Sequence, residues 1–550
     1  MISTKKKIVL FLPHRADPAR GEAFSADLLP LELLQIATGP AANGYEIVLI
    51  DAMIEPNYLK KVLDACEGAL LFASSCILGY QVYDGYVVAK AVRERHPNLP
   101  IIQGGWFPSV TPEMYLNQGI ADAVGIGQGE ITFEEVVEAV AAGEDLANVA
   151  GLAVLRDGQV IKTAPRPVVG FDQIKPVPWH LLEYERYAEL QVKPTKLKVR
   201  HRFPLPGHWT PDNPPRGFSY FSSYGCPEPC TFCCSPLVTS RRWKAIGGKE
   251  LAEDIAELQQ RFKFDVLRFQ DANFGVAEKR TNAFCQTLVD LKVPIHWNGT
   301  IEIETIMRYK KETLDLLEES KCHLLWLGAE AGTKEMQDQI KKHIDIDHIP
   351  LAIGELAKRN IVPGTFWIIG YPGENQASME ETLRQAAKIK YMYPIAGSEV
   401  YPFRPIPGTE DFDKAVQLGY EPPKTFHEWG NCFEYKYNAH NTPLPSDVRR
   451  TWRHYNNTAA IYDLHVQEGP MWMRKLLSKF AGWRLDHHEY RLPIEQKLFD
   501  LYVRATGQRQ PGAEDIPEDY QQLQPETQFA KTAQAEAAGE LEKVWGSVSN

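Results

Sequence analysis

The sequence lacks long apolar segments, an excess of basic residues and a regular set of paired cysteines. No run approaches the roughly 18 uninterrupted apolar residues that a membrane-spanning helix needs. The first residues, Met1 to Leu12, are a short basic start and one strand-length apolar run, unlike a signal peptide or anchor. The net charge of −11 argues against a phosphate-backbone partner. We therefore expect a globular protein with no transmembrane segment and no nucleic-acid partner.

The cysteine content does not indicate a disulfide framework. The nine cysteines are an odd number in a long chain, and three of them fall within eight residues. Such usage is typical of a reducing compartment, so we expect a cytoplasmic protein. The length of 550 residues predicts roughly three or four folding units.

Residues 1–150 alternate short apolar runs with helical patterns, which predicts a parallel, doubly wound, Rossmann-like sheet of the α/β class. Ligands of such sheets bind beyond the carboxyl ends of the strands. The residues expected in those loops are Ser74, Ser75, Gly104, Gly105, Gly127 and, at the start of a helix, Glu130. Most of them are small, so a bulky ligand has room beside the backbone.

The rest of the chain divides into four segments. Residues 151–215 are rich in proline and are expected to form a linker over a surface. Residues 216–425 contain six strand–helix repeats, which predict a barrel or a partial (β/α)6 barrel. Residues 426–515 have helical spacing with many Trp, His and Arg, which predicts a helical cap that packs on the barrel or closes over an anionic, planar or lipidic substrate. Residues 516–550 have little apolar content, and we expect a mobile tail.

A cysteine motif, C-x-x-x-C-x-x-C, follows the first strand of the predicted barrel. It comprises Cys226, Cys230 and Cys233. Short loops of this kind bind iron–sulfur clusters, and three thiolates leave one iron open. Structural zinc is the alternative, but zinc sites usually take four ligands in paired units. Cys234 directly follows Cys233, and because adjacent residues point apart in most loops, we do not expect it to be a ligand.

The cysteine loop, with Phe232 before the third cysteine, resembles that of radical S-adenosylmethionine (SAM) enzymes. Further stretches resemble this family's motifs in the right order: Arg268–Phe274, Leu327–Thr333, Trp367–Glu374 and Pro405–Thr409. The resemblance implies a [4Fe–4S] cluster whose open iron binds SAM. It also implies that Glu330 faces SAM and that Gly370 belongs to the cofactor site. Asp271 is a further candidate there, or it caps the following helix.

Two N-terminal stretches, Gln103–Glu113 and Asp122–Glu130, resemble motifs of the cobalamin-binding radical SAM enzymes. This resemblance implies that the small-residue loops hold cobalamin; Phe107 stands where the family often has His. The stretch from Asp51 is compared with the D-x-H-x-x-G motif of other cobalamin proteins, and Met53 takes the place of its histidine. We therefore expect no histidine on the lower face of cobalt, with His14 as the alternative.

The resemblance implies a cobalamin-dependent radical SAM enzyme. Reductive cleavage of SAM would give a 5′-deoxyadenosyl radical that abstracts hydrogen from an unactivated carbon, followed by methyl transfer from methylcobalamin. The alternative is an oxidation, rearrangement or cyclisation without methyl transfer, as in the anaerobic magnesium-protoporphyrin monomethyl ester cyclase group. A cobalamin or iron–sulfur sensor is a third hypothesis, against which Glu330 and the turn at Gly370 speak. Expected partners are a small-molecule substrate and a reductant of the flavodoxin or ferredoxin type; the sequence identifies no catalytic residue.

Overall fold

The computed structural model describes residues 7–15, 28–192, 206–207, 209, 213–432, 444–463, 470–490, 494, 497–498 and 501. The tail predicted at 516–550 lies outside these residues. The strands and helices, in chain order, are β1 (Lys7–Leu12), α1 (Leu31–Ile36), α2 (Thr38–Ala42), β2 (Glu46–Asp51), α3 (Tyr58–Ala65), β3 (Leu71–Ser75), α4 (Tyr80–Arg95), β4 (Ile101–Gly104), α5 (Trp106–Val110), α6 (Pro112–Asn117), β5 (Ala123–Gly125), α7 (Glu130–Ala142), β6 (Leu152–Arg156), β7 (Gln159–Lys162), α8 (Tyr184–Val192), β8 (Gly217–Tyr220), β9 (Ser223–Tyr224), α9 (Ser235–Thr239), β10 (Lys244–Ala245), α10 (Gly248–Phe262), β11 (Val266–Phe269), α11 (Glu278–Leu291), β12 (His296–Ile301), α12 (Ile303–Arg308), α13 (Lys311–Glu319), β13 (Cys322–Glu330), α14 (Lys334–Gln339), α15 (His348–Ala357), β14 (Val362–Ile369), α16 (Gln376–Met392), β15 (Gly397–Pro402), α17 (Glu410–Gln417), α18 (Phe426–Cys432), α19 (Ser446–Tyr462) and α20 (Met471–His487).

The N-terminal domain is built on a seven-stranded sheet with the order β2-β1-β3-β4-β5-β6-β7. Its first five strands are parallel. Alternate residues of β1 enter two separate cores, Val9 and Phe11 on one face and Ile8 and Leu10 on the other. A sheet that is buried on both faces needs strands that are apolar throughout, which explains the continuous apolar run at Ile8–Leu12. The predicted doubly wound α/β domain is confirmed.

The segment predicted as a linker contains regular structure. Residues 152–162 form β6 and β7, which extend the sheet by antiparallel pairing, for example between Ala123 and Val154. The prolines start only at Pro165, so nothing prevents this hairpin from pairing. Further on, α8 inserts Tyr184 and Tyr187 into the core of the second domain. The part of this segment that the structure describes therefore packs on both domains.

The second domain is a partial barrel of six parallel strands in the order β15-β14-β13-β12-β11-β8. Consecutive strands are neighbours, as expected for the six strand–helix repeats predicted in residues 216–425. Side chains on the outer face of the strands, including Leu267, Leu327 and Trp367, form one core with the surrounding helices. The side chains that alternate with them point into the barrel.

The C-terminal helices contact both domains. Phe426 of α18 stacks on Tyr86 of the N-terminal domain, with ring centroids 4.6 Å apart. In α19, the Trp452 indole donates to the Val400 carbonyl (2.7 Å) and the Tyr455 hydroxyl to the Ser398 carbonyl (2.5 Å). Both carbonyls belong to the edge strand β15, so α19 covers that edge of the barrel. No helix in the described ranges is long and apolar enough to cross a membrane.

Candidate functional site

The cysteine-rich loop connects β9 to α9 at the carboxyl end of β8. β9 pairs with β10, which closes the loop at its base. Gly225 has a φ of +79°, and a Cβ there would lie 2.0 Å from the Arg242 carbonyl oxygen, so only glycine fits. On the far side, the Thr231 hydroxyl donates to the Asp411 carboxylate (2.6 Å). The backbone therefore fixes the loop before any ligand binds.

The three cysteines of the motif lie together in a poorly hydrated region. Cys226 and Cys230 are buried and Cys233 is partly exposed. Burial raises the pKa of all three thiols, that of Cys226 to about 11, while the ammonium of Lys342 opposes the rise. Such thiols ionise when metal supplies the positive charge, which fits a cluster. Among the described residues, no three His, Cys, Asp or Glu side chains converge as ligands of one metal ion, and thiolates that each bind a different iron need not do so.

Cys234 adjoins Cys233 but lacks the electrostatic interaction with Lys342 that the other three thiols share. It is buried at the start of α9. Burial raises its thiol pKa, and the charged neighbour that acts on it is Cys233 rather than Lys342. This placement supports the expectation that Cys234 is not a cluster ligand, which stays a prediction.

Glu330 occupies a tight turn at the carboxyl end of β13. Its φ is +62°, and the pairing of β13 with β14 shifts at this point. Gln337 holds the turn because its amide donates to the carbonyls on either side, Ala329 (2.6 Å) and Ala331 (2.7 Å). Gly328 leaves room for the side chain, since a Cβ there would lie 2.2 Å from Glu330 Oε1. A non-glycine residue with positive φ is costly, and here several contacts enforce it.

Lys342 lies between the buried carboxylate of Glu330 and the partly buried carboxylate of Glu302. Its Nζ is 2.8 Å from Glu302 Oε2 and 3.5 Å from Glu330 Oε1. Burial opposes the charge on Lys342, but the two carboxylates prevail and its pKa is raised. The pKa of Glu330 is raised by burial and by Glu302, and Lys342 opposes both effects. One cation thus faces both the thiols and the carboxylate expected to meet SAM.

Sequence reasoning missed Glu302, Gln337 and Lys342. Glu302 follows a predicted strand, so the strand-end argument used for Glu330 applies to it equally. Gln337 and Lys342 lie beyond the motif residues, within and after the short helix α14, and their roles depend on contacts between segments. No pattern in the sequence indicates those contacts.

Gly370 begins the turn that follows β14. Its backbone N–H and that of Tyr371 both donate to the Glu374 carboxylate, at 2.7 and 3.1 Å. The ring of Phe232 meets that of Tyr371 edge-on, with centroids 5.7 Å apart. Gly370 and Phe232 therefore lie beside one small apolar core next to the cysteine loop. Their contact with a cofactor stays a prediction.

Asp271 lies beneath the cysteine loop. Its carboxylate accepts hydrogen bonds from the Ser222 N–H (2.7 Å), the Ser222 hydroxyl (2.5 Å) and the Ser223 hydroxyl (2.7 Å). Burial raises its pKa, and the guanidinium of Arg280 opposes this rise. These contacts tie the end of β8 to β11. Asp271 thus holds the strand that leads into the loop, and direct contact with a cofactor stays a prediction.

The small residues of the N-terminal domain form a cradle at the carboxyl edge of its sheet. The strand order changes direction between β1 and β3, and ligands bind at such a switch point. Ser74 and Ser75 end β3 there, and Gly104 ends β4. Gly105 has a φ of +96°, and a Cβ at this position would lie 2.2 Å from the Cys76 carbonyl oxygen. Side chains larger than glycine would fill this edge.

One buried amide marks the cradle as a polar binding site. Gln103, which pairs with Ser74, is fully buried, and neither its Oε1 nor its Nε2 has a hydrogen-bond partner. Such a group is costly unless a ligand satisfies it. Cobalamin carries amide side chains around its corrin ring, so the donor set here fits that cofactor.

The loop that contains Met53 lies elsewhere. It follows β2, the edge strand, where the Tyr187 hydroxyl donates to Asp51 (2.9 Å) and Met53 packs against the barrel core. The position of Met53 therefore says nothing about the lower face of cobalt, and the expectation that no histidine lies there stays a prediction. His14 follows β1 at the switch point, and its ring meets Tyr58 edge-on at 5.4 Å. Phe107 is fully buried and packs on Trp429, which explains why an aromatic residue stands there.

The cradle adjoins the cysteine loop. The Tyr224 hydroxyl contacts the carboxylate of Glu130, at the start of α7, and the Gln35 amide oxygen (2.9 Å). Burial raises the pKa of Glu130, and Tyr224 opposes this rise. A Cβ on Gly127, whose φ is +80°, would lie 3.2 Å from the Val238 carbonyl oxygen in α9. Glu130 thus joins the two domains, and its contact with a cofactor stays a prediction.

Comparison with known proteins gives two family matches. A B12 binding domain model matches residues 20–137, and a Radical SAM superfamily model matches residues 220–386. An uncharacterized methyltransferase from Pyrococcus horikoshii is 26% identical over 74% of this chain and 83% of its own length. An anaerobic magnesium-protoporphyrin IX monomethyl ester cyclase from Synechocystis is 25% identical over 69% and 71%. The structure of the radical SAM methyltransferase TsrM from Kitasatospora setae, with cobalamin and a [4Fe–4S] cluster bound, matches 92% of this chain and 100% of its own, with 14% identity and a TM-score of 0.59.

Proposed function

The chain belongs to the cobalamin-binding radical SAM enzymes, and we propose that it transfers a methyl group to a carbon atom of a small-molecule substrate. The two family models confirm the resemblance drawn from the motifs, and with it three cofactors: a [4Fe–4S] cluster, SAM and cobalamin. When bound, these groups supply a 5′-deoxyadenosyl radical that removes hydrogen from the substrate and a methyl group that replaces it.

The chain's own residues divide this work between two sites. Cys226, Cys230 and Cys233 would hold the cluster, on a loop that the backbone fixes in advance. SAM carries a carboxylate, an ammonium group and a ribose diol. Lys342 and Glu330 offer the complementary cation and carboxylate beside the cluster. The cradle from Ser74 to Gly127 would hold the corrin.

The contact of Glu130 with Tyr224 is the observation that carries the proposal. Tyr224 is two residues from Cys226, and Glu130 is three residues from the cradle glycine Gly127. This contact would keep a corrin in the cradle beside a cluster on the cysteine loop, as transfer to a short-lived substrate radical requires. The relative from Pyrococcus horikoshii favours methylation, whereas the one from Synechocystis favours an oxidative cyclisation.

Product analysis separates the two reactions. The full chain would be reconstituted without oxygen and given trideuteromethyl SAM, reduced flavodoxin and a small-molecule extract as the source of substrate. We expect S-adenosylhomocysteine together with 5′-deoxyadenosine, and deuterium in a new product. Formation of 5′-deoxyadenosine without S-adenosylhomocysteine and without a labelled product would refute methylation and support cyclisation. The Cys230→Ala variant is the control and should form neither nucleoside.

The reductant and the location belong to the same proposal. The cluster needs a low-potential electron donor, for which a flavodoxin or ferredoxin is suited. All eight cysteines whose side chains the structure describes are free thiols, which is in keeping with a reducing cytoplasm.

A further inference from the structure

Three aromatic side chains on neighbouring barrel strands contact one another in a row. Trp326 of β13 lies on Phe366 of β14, with centroids 5.0 Å apart and planes 8° from parallel. Phe366 in turn contacts Tyr401 of β15, at 6.1 Å and 42°. We call Trp326, Phe366 and Tyr401 the aromatic wall.

The aromatic wall faces the inside of the barrel. Each of its residues alternates with outer-face residues, such as Leu325, Trp367 and Val400, that belong to the core beneath the helices. The strand register agrees, because Trp326 pairs with Gly364, two residues from Phe366, and Phe366 pairs with Glu399, two residues from Tyr401. All three rings therefore point to the same side of the sheet.

The wall is not part of a hydrophobic core. The rings of Trp326, Phe366 and Tyr401 are only partly buried, and none of them belongs to or packs against a core cluster of the described residues. A sheet whose outer face is already packed gains nothing from three large accessible rings on its inner face. Their exposed faces suit a ligand that stacks.

The wall extends toward the cofactor site and lies beside a buried amide. Gly328, the register partner of Phe366, is two residues before Glu330. On β12, the strand next to β13, Asn298 is buried, and its Oδ1 has no hydrogen-bond partner. An unsatisfied acceptor beside stacked rings calls for a ligand with an N–H or O–H at its edge.

We propose that the substrate is a planar, conjugated ring system with a hydrogen-bond donor at its edge, and that the aromatic wall selects it by stacking. This inference rests on the proposed function, because it concerns the substrate of that reaction. Gly364 and Gly397, which lie in register beside Trp326, add no side chain over the rings. Aliphatic substrates of equal size cannot stack on the rings of the wall.

Two probes of the same carbon skeleton test the inference. 2-Naphthol is flat and conjugated, whereas decahydro-2-naphthol is puckered, more apolar and bears the same hydroxyl. Binding of each would be measured by equilibrium dialysis to the reconstituted holoenzyme, with saturating SAM and no reductant. We expect 2-naphthol to bind about tenfold more tightly, since stacking on two rings outweighs the greater apolarity of the saturated probe.

The variant Phe366→Leu removes the middle ring and keeps an apolar side chain of similar size. We expect it to reduce the preference for 2-naphthol about tenfold. Tyr391→Leu is the matched control, because Tyr391 stacks on Tyr462 outside the barrel, at 6.4 Å, and should leave the preference unchanged. If Phe366→Leu does not fold by circular dichroism, Tyr401→Leu takes its place.

The outcomes separate this inference from the proposed function. Equal binding of both probes, or a preference that survives loss of a wall ring, overturns the substrate class even when the enzyme cleaves SAM. If the enzyme prefers 2-naphthol through the wall but forms no S-adenosylhomocysteine, the substrate class is supported and methylation is refuted.

Discussion

The Tyr224 hydroxyl meets the Glu130 carboxylate where the N-terminal domain touches the cysteine loop. Tyr224 also stacks on Phe171, with centroids 4.6 Å apart and planes 4° from parallel. One side chain thus joins α7, the linker segment and the strand that precedes Cys226. Glu130 is buried and Tyr224 is partly buried, so solvent weakens the contact less than it would a surface pair.

Replacing Tyr224 by Phe should weaken the junction of the two domains. The variant keeps the stacking on Phe171 but leaves Glu130 without the hydroxyl, at a cost of about 1–3 kcal/mol. The urea concentration at the midpoint of unfolding and the amount of cobalamin retained would both fall. Tyr45→Phe is the control, because Tyr45 donates to Glu138 at the surface and should change neither. An unaltered cobalamin content in Tyr224→Phe would show that the contact does not maintain the cradle.

Cys230 and Cys234 should differ sharply on substitution. Cys230→Ala removes one of three thiols that face Lys342, so we expect loss of the absorbance near 400 nm and of all SAM cleavage. Cys234→Ala changes a residue outside that group and should keep both. Iron and sulfide analysis with ultraviolet–visible spectra measures the first property, and 5′-deoxyadenosine formation the second. Loss of the cluster in Cys234→Ala would contradict the assignment of ligands.

The Gln337→Leu variant should loosen the turn at Glu330. It removes both hydrogen bonds that hold the carbonyls of Ala329 and Ala331, so the left-handed conformation of Glu330 is no longer enforced. We expect SAM affinity to fall about tenfold, equivalent to about 1.4 kcal/mol. Equilibrium dialysis with cluster-loaded protein measures it. Gln385→Leu, at a partly exposed position of α16, should bind SAM like the parent protein.

Lys342→Met should make the cluster harder to reduce. Reduction adds negative charge beside the Lys342 ammonium, so loss of this cation should lower the potential by roughly 50–100 mV, the effect of one unit charge at short range in a partly buried site. A redox titration followed by electron paramagnetic resonance measures the change. The adjacent Lys341→Met provides the control, because Lys341 pairs with Glu410 at the surface. Equal potentials in both variants would refute this role of Lys342.

His323 should make the barrel sensitive to acid. Burial, and secondarily His296, lowers its pKa to about 3. In the unfolded chain this histidine has a pKa near 6.5 and binds a proton below that pH, whereas in the folded chain it stays neutral. Its contribution to the free energy of unfolding is therefore fully present above pH 6.5 and is lost as the pH falls toward 3. We expect a loss of about 2 kcal/mol between pH 7 and pH 5. Urea unfolding should show a smaller loss in His323→Gln, whereas His487→Gln, at an exposed position of α20, should resemble the parent.

The strands and the motif residues could be predicted because their signal is local. An apolar run such as Val362–Ile369 specifies a buried parallel strand wherever it lies in the sheet. The cysteine spacing likewise depends on one loop. Gln337 and Lys342 act on residues that only the fold brings near, and the residues around Met53 do not reveal that they follow the edge strand of the sheet. The roles of these residues depend on where the fold places them, and residue type alone does not indicate that place.

The packing of α18 on the N-terminal domain and of α19 on β15 bears on how the protein matures. These helices are synthesised after both domains, and they dock on surfaces that the domains complete earlier. Before Phe426 and Trp452 emerge from the ribosome, α18 and α19 cannot pack on the domains. A nascent chain therefore keeps a period in which a ligand as large as cobalamin can enter between domains that are already folded. Cofactor insertion during synthesis and cofactor exchange in the finished enzyme should consequently proceed at very different rates.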